Sequence, residues 1–368
     1  MRIGLIVGPW FTVPPEKYGG TERVVDALAR ALTDAGHDVL LAASSDSTCP
    51  VPQLDGLGPS RPGELGETLS ELSHVIRSYA GMRGMDIIHD HTLAGPLYAH
   101  RWPDIPVVTT IHGPLTAQSA ELYRAMAGDT AIVAISHNQG SMVPGLPVSA
   151  VIHHGLDLST VSMGNGAGGY ACFVGRMCPD KGLMEAVGIA REAGIPLRIA
   201  AKMHAKDEQR FYQEVVKPAL GPQEEFLGEL ADPEKYQLMG DAAVLINPIQ
   251  WHEPFGLVMI EALATGTPVI ATPMGAAPEI IQHGKTGFLG DVHQLAGFVD
   301  AATKLSRADC RRAVEGYFSA GRMAADHLEL YARVIEQFKG KGGYGRALRE
   351  RESKAGLFKP AAKEPHRP

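Results

Sequence analysis

The chain has 368 residues, of which 45% are hydrophobic and 20% charged; at roughly 150 residues per domain this is enough for two cores and excludes a disordered chain or a stapled mini-protein. A formal net charge of −7 argues against a nucleic-acid protein covered in basic surface. The four cysteines, Cys49, Cys172, Cys178 and Cys310, are too scattered for a disulfide framework or a zinc site.

The opening MRIGLIVGPW reads as a buried strand over 3–7, because FTVPPEKYGG follows it without a small-residue cleavage site. No later stretch approaches about 18 consecutive apolar residues, so a cytoplasmic protein is expected. A helix over 21–35 and a strand over 39–43 come next. Residues 64–82 carry Leu65, Leu69, Leu72 and Ile76 at spacings of three and four, which predicts a helix that buries this face. Strands are expected over 87–89, 107–111, 132–135 and 148–152. Residues 161–169, VSMGNGAGG, have no apolar period and mark a linker. A second series has strands over 171–174, 197–201, 243–246 and 269–271, again with helices between. Strands alternating with helices predict α/β architecture with parallel sheets. The chain thus divides into a first doubly wound domain over 1–160, the linker 161–169, a second over 170–338 and a tail over 339–368. That tail holds nine Lys/Arg against three Glu; it is expected to be solvated and partly disordered, with a weak contact to an anionic membrane surface as the alternative. In such sheets ligands sit at the carboxyl ends of the strands, in the cleft between domains.

The motifs fall at those ends. In HEPFGLVMIEALATGTPVIAT, residues 252–272, Pro254 can open a helix and Gly266 can end it. Glu253 then precedes the helix and Glu261 lies inside it, with the amides of Phe255, Gly256 and Leu257 at its anion-binding end. At helical rise the two carboxylates are at most about 12 Å apart. This is the span of a nucleotide sugar from hexose to ribose, wider than the roughly 5 to 9.5 Å of two acids flanking one glycosidic bond. In FVGRMCPDKG, Arg176 can fork across two phosphate oxygens while Lys181 adds a point charge, so a diphosphate is neutralised without a metal. In YGGTER, Gly19 and Gly20 let backbone approach a ligand and Thr21 can cap a helix. His112 closes the strand VVTTIH at the cleft edge. The run His89, Asp90 and His91 has types that bind a metal or an acceptor, and His153 with His154 reads as structural.

Taken together these residues resemble glycosyltransferase family 4, two-domain enzymes of the GT-B fold, over about residues 1–338, and the E-x7-E pattern of Glu253 and Glu261 is its most specific part. The resemblance implies two Rossmann-like domains facing across a cleft. It also implies a retaining, metal-independent enzyme that moves a hexose from a nucleotide diphosphate sugar to an acceptor hydroxyl, with UDP-glucose favoured over GDP-mannose as donor. On this basis Glu253 holds sugar hydroxyls, Glu261 the ribose, Arg176 and Lys181 the diphosphate, and His112 the hexose near the reacting carbon. Gly19, Gly20, Phe255, Gly256 and Leu257 then lie along the donor, with the base against backbone at Gly228 and Leu230. Tyr18, His91 and Ser136 are the acceptor-side candidates, and no metal ligand is assigned. The implied chemistry is a front-face substitution in which a leaving phosphate oxygen takes the acceptor proton, with no protein nucleophile. The nucleotide sugar is a co-substrate rather than a cofactor, the acceptor a small molecule or glycan, and no nucleic acid is involved. A GT-B phosphorylase, a sugar-nucleotide epimerase or a non-catalytic nucleotide-sugar-binding protein is the alternative; the glutamate pair with FVGRMCPDKG argues against the first two, and the intact set Glu253, Glu261, Arg176, Lys181 and His112 against the last.

Overall fold

Runs such as RIGLI and VLIN are apolar along almost their whole length, as strands covered on both faces must be. In the computed structural model, which describes residues 1–17, 19–102 and 104–340, they build two six-stranded sheets. The first contains β1 (Arg2–Ile6), β2 (Asp38–Ala42), β3 (Ile87–Asp90), β4 (Val107–Thr110), β5 (Thr130–Ala134) and β6 (Val148–Val151), in the order β2-β1-β3-β4-β5-β6. The second contains β7 (Ala171–Arg176), β8 (Leu197–Lys202), β9 (Glu224–Gly228), β10 (Val244–Asn247), β11 (Val269–Ala271) and β12 (Gly287–Leu289), in the order β12-β11-β10-β7-β8-β9. All the paired strands run parallel, so helices return over both faces and each half has a core on either side of its sheet. The edge strand β12, GFL, escapes the sequence pattern because it holds no β-branched residue, whereas the equally short β11 reads VIA.

Three features depart from the sequence reading. The helix Thr68–Gly81 forms, but it buries His74, Val75, Ser78 and Tyr79, while Leu65, Leu69 and Ile76 are exposed. Two apolar stripes lie side by side on this helix, and the sheet meets the one that carries Tyr79, whose hydroxyl donates to buried Asp90 at 2.9 Å. Next, the linker is strapped down. The amides of Gly164, Gly166 and Gly168 donate to the carbonyls of Thr265, Gly240 and Asp241, and Arg307 donates back to the Gly164 carbonyl. Last, the helix Ala320–Gly340 leaves the second half and packs on the helix Gly20–Asp34 through Met323, Ala324, Leu330 and Tyr331. Residues 320–338 therefore cover the first half, although the predicted second domain runs through them. The predicted tail beyond residue 340 lies outside the described residues.

The halves are also joined at the cleft. Glu279 accepts the amides of His137 and Asn138 at 2.8 Å each and pairs with His153 Nε2 at 2.8 Å. Ser136 Oγ donates to the Pro254 carbonyl at 2.6 Å. Behind this seam the last helix closes over buried imidazoles. His89 bonds the Tyr331 hydroxyl at 2.6 Å and Thr110 Oγ1 at 2.7 Å, and its ring lies 5.0 Å from that of His327.

Burial pushes His74 and His327 down to about 4 and holds His89, His91 and His154 well below their ordinary value. These five stay neutral in the fold but take protons when unfolded, so they lose stability as pH falls through the ordinary histidine range. Burial acts in the opposite sense on Glu22 and Asp90, both pushed up to about 7, which hold protons only in the fold. The histidines outnumber them. Near pH 5.5 the unfolded chain therefore binds more protons from these groups than the folded one does, and stability rises with pH there. Urea titrations from pH 7 to 5 are expected to show a steep loss of stability, and a flat midpoint would contradict this account. A second expectation concerns the turn that presents Lys181. Gly182 has φ 74°, and a Cβ there would lie 2.0 Å from the Pro248 carbonyl oxygen, whereas Gly194, at φ 67°, has open space. Both alanine variants meet the left-handed penalty of about 1–2 kcal/mol. Gly182→Ala is expected to lose about 1–3 kcal/mol more through overlap, read as the larger drop in Tm.

Candidate active site

The carboxyl ends of the two sheets face each other across a cavity of about 480 Å³. The turn after β7 and the loop after β10 form one wall and are bonded together, since the Gln250 amide donates to the Asp180 carbonyl at 2.9 Å. The close approach of Gly182 to Pro248 fixes the same contact. Lys181 Nζ is thereby placed on Glu253 Oε2 in an ion pair, and Trp251 Nε1 donates to the same oxygen at 3.1 Å. The Glu253 backbone is held in turn by the Ala276 amide and by Gly275, where a Cβ would sit 2.3 Å from the Glu253 carbonyl oxygen. Arg176 ends β7 beside Asp180, with Nη2 and Oδ2 3.5 Å apart.

Farther along the cavity, Glu261 is buried inside the helix Leu257–Ala264. Lys235 Nζ lies 2.6 Å from Glu261 Oε1, and Arg23 reaches across from the first half, 3.8 Å from the same oxygen and paired with Asp232. Burial alone would push Glu261 up, but the charges of Lys235 and Arg23 hold it below the usual carboxylate range. Burial pushes the Lys235 ammonium down. Gly256 takes φ 89° at the helix start, a left-handed turn that glycine adopts without strain. The helix therefore begins at Leu257 and not at Phe255. Phe255 is a core side chain instead, with its ring 5.1 Å from His154 and 6.1 Å from Phe318.

From the first half come Gly19, Gly20 and His112. Gly20 lies 3.5 Å from Leu257 Cδ1, measured from the position of an ideal Cβ, so the glycine loop closes on the other wall. His112 is half-buried, stacks on His154 at 5.4 Å and bonds His91 Nδ1 through Nε2 at 2.8 Å. Desolvation pushes it down to about 3, so the ring is neutral.

Of the residues singled out from sequence, Gly19, Gly20, His112, Arg176, Lys181, Leu230, Glu253, Phe255, Gly256, Leu257 and Glu261 all line this cavity. Gly228, at φ 78°, turns the chain out of β9 toward Leu230. The acceptor-side candidates fare differently. Ser136 is fully buried, caps a helix by accepting the Gln139 amide and bonds Pro254, so it is not open to an acceptor. His91 is buried behind His112. Tyr18 lies outside the described residues. The His89, Asp90 and His91 run is internal wiring: both ring nitrogens of His89 are bonded, and Asp90 accepts from Thr92 and Tyr79. Sequence reasoning missed Arg23, Lys235, Trp251, Asn247 and the cleft position of His154. Arg23 stands in YGGTER, the one signal that was available; the partners of the others appear only in the fold. Asn247 Nδ2 is buried at the end of β10 with no acceptor among the described residues.

Comparisons with known proteins agree with this architecture. The family model described as Glycosyltransferase Family 4 matches residues 18–160, and that described as Glycosyl transferases group 1 matches residues 169–308. The phosphatidyl-myo-inositol mannosyltransferase of Mycobacterium leprae (strain TN) is 26% identical over 355 residues, 88% of this chain and 92% of that protein. The D-inositol 3-phosphate glycosyltransferase of Pseudarthrobacter chlorophenolicus is 26% identical, again over 88% of this chain and 92% of that one. Sucrose-phosphate synthase from Thermosynechococcus elongatus superposes with a TM-score of 0.74 at 20% identity, covering 91% of this chain and 99% of that structure. Anabaena HepE in complex with UDP and glucose gives 0.70 at 18% identity, covering 90% and 99%. The gap between the two matched segments falls within the linker, the segments contain both walls of the cavity, and the fold is that of the superposed structures: the chain belongs to glycosyltransferase family 4 and is a glycosyltransferase of the GT-B fold.

Proposed function

We propose that the enzyme is a retaining transferase that takes a hexose from a nucleotide diphosphate sugar, UDP-glucose favoured, and passes it to the hydroxyl of a small-molecule or glycan acceptor. The observation that carries this reading is the convergence of His112 from one half with Arg176, Lys181, Glu253 and Glu261 from the other on one cavity. HepE, whose structure is described with UDP-glucose, supports the donor. The mannosyltransferase relative favours GDP-mannose as the second reading.

In this reading the donor diphosphate competes for Lys181. Its phosphate oxygens draw the ammonium from Glu253, and the released carboxylate accepts hydroxyls of the hexose. Arg176 forks across the same diphosphate. As the bond from the anomeric carbon to the phosphate oxygen breaks, both cations offset charge growing on the leaving group, an effect commonly worth several kcal/mol. His112 is neutral, so it offers a hydrogen bond without opposing the positive charge that builds on the sugar. The acceptor oxygen bonds to the anomeric carbon on the face the phosphate leaves, and its proton passes to a phosphate oxygen. Glu261 keeps Oε1 on Lys235 and presents Oε2 to the ribose diol. Closure of the cleft excludes water, which limits loss of the donor to hydrolysis. Among the described residues no helix is long and apolar enough to cross a membrane; the reading places the enzyme in the cytoplasm with its nucleotide sugar.

A thermal-shift panel of UDP, GDP, ADP and TDP tests the donor. A ligand at a hundredfold its Kd stabilises the fold by about 2.7 kcal/mol, so a selective rise with UDP is expected; a selective rise with GDP would move the assignment to the mannose donor, and no rise with any would contradict a nucleotide-sugar enzyme. Lys181→Ala is expected to cut release of UDP from UDP-glucose at least a hundredfold with the far-UV spectrum unchanged. Near-normal turnover in that variant would remove Lys181 from the diphosphate site.

A further inference from the structure

The cleft histidine does not stand alone. His91 Nδ1 lies 2.8 Å from His112 Nε2, and the His91 ring packs 3.9 Å from that of His89 at a tilt of 37°, so His91 has little freedom to turn. Its other nitrogen, Nε2, is buried with no partner among the described residues. Desolvation keeps both rings neutral. A bond between two neutral imidazoles needs one N–H and one lone pair, which leaves two arrangements. If His112 donated from Nε2, His91 would carry its own proton on Nε2 and bury an N–H with no acceptor. If His91 donates from Nδ1, its Nε2 holds only a lone pair. A stranded buried N–H is the rarer and more costly defect.

We infer that His91 is a positioning residue that fixes the tautomer of His112, so that His112 presents an Nδ1–H donor to the hexose of the bound nucleotide sugar. The inference rests on the reading of His112 as a hexose contact and adds what sets its polarity. With Nε2 occupied by the His91 N–H, Nδ1–H is what the ring can offer to a ligand. His154, stacked on the opposite partner of the pair, holds the plane of His112. His91, considered from sequence as an acceptor contact, acts one layer behind the cleft.

Two readouts test this. Nitrogen-15 NMR of the histidine side chains, with the His112 signals assigned by their loss in His112→Gln, is expected to show a protonated Nδ1 and a bare Nε2. His91→Asn should preserve that pattern, because its Nδ2 is bonded to Cγ as the histidine Nδ1 is. His91→Phe keeps the ring against His89 but removes the donor, and should give a mixture of tautomers. In titrations with UDP-glucose against UDP, and with GDP-mannose against GDP, His91→Phe should lose about tenfold of the affinity the sugar adds. His91→Asn should stay within about threefold, with nucleotide affinity unchanged in both. A protonated Nε2 on wild-type His112 overturns the inference whether or not the variants fold, and so does a His91→Phe protein that keeps the wild-type sugar increment while His112→Gln loses it. The expected tautomer combined with an unaltered sugar increment in His112→Gln would instead overturn the reading of His112 as a hexose contact.

Discussion

A single carboxylate, Glu279, holds the two walls of this site in register. It takes two backbone amides at the start of the short helix His137–Ser141 and the imidazole of His153, all from the opposite half of the molecule. Charge-assisted bonds of this kind are about twice as strong as neutral ones, and here three of them converge three residues after Ala276, whose amide holds the Glu253 carbonyl. Ser136 completes the seam on Pro254, the residue next to Glu253. Without this seam the histidines of the first sheet and the cations of the second would line separate surfaces rather than one cavity.

Within the cavity, opposite charges are arranged in pairs that a donor can enter. Lys181 shares Glu253 at one end, while Lys235 and Arg23 share Glu261 and Asp232 at the other. Burying isolated charges would cost several kcal/mol each, so pairing is what allows so many ionised groups in one cleft. The pairing also orders the site: cations and carboxylates are held where a phosphate and a sugar hydroxyl can take over from their partners. Arg23 belongs to the helix that follows the glycine loop, so the Glu261 end of the cavity depends on both halves as much as the Glu253 end does.

Much of this was legible in the chain itself. Most strands of the two sheets announce themselves as β-branched runs, the edge strands β9 and β12 excepted, and Glu253, Glu261, Arg176 and Lys181 sit in motifs that the fold brings to one cavity. What the chain conceals is which surface meets which. Leu65, Leu69 and Ile76 make as good a helical stripe as Val75 and Tyr79, and only the sheet chooses between them. The helix Ala320–Gly340 is amphipathic wherever it lies; its return to the first half depends on the crossing at Gly155 and Leu156, where backbone passes too closely for a Cβ. Lys235 and Arg23 read as ordinary surface charges until the fold sets them on Glu261. Ser136 looks open at the end of a strand, yet it is consumed by the seam.

The central claim is that donor binding exchanges the Lys181–Glu253 pair for contacts to phosphate and hexose. A crystal structure with an intact nucleotide sugar tests it most directly. The account predicts Lys181 Nζ and the Arg176 guanidinium on the diphosphate, Glu253 on hexose hydroxyls and Glu261 on the ribose. A nucleotide sugar bound in this cleft with Lys181 still on Glu253, or bound away from both, would contradict it.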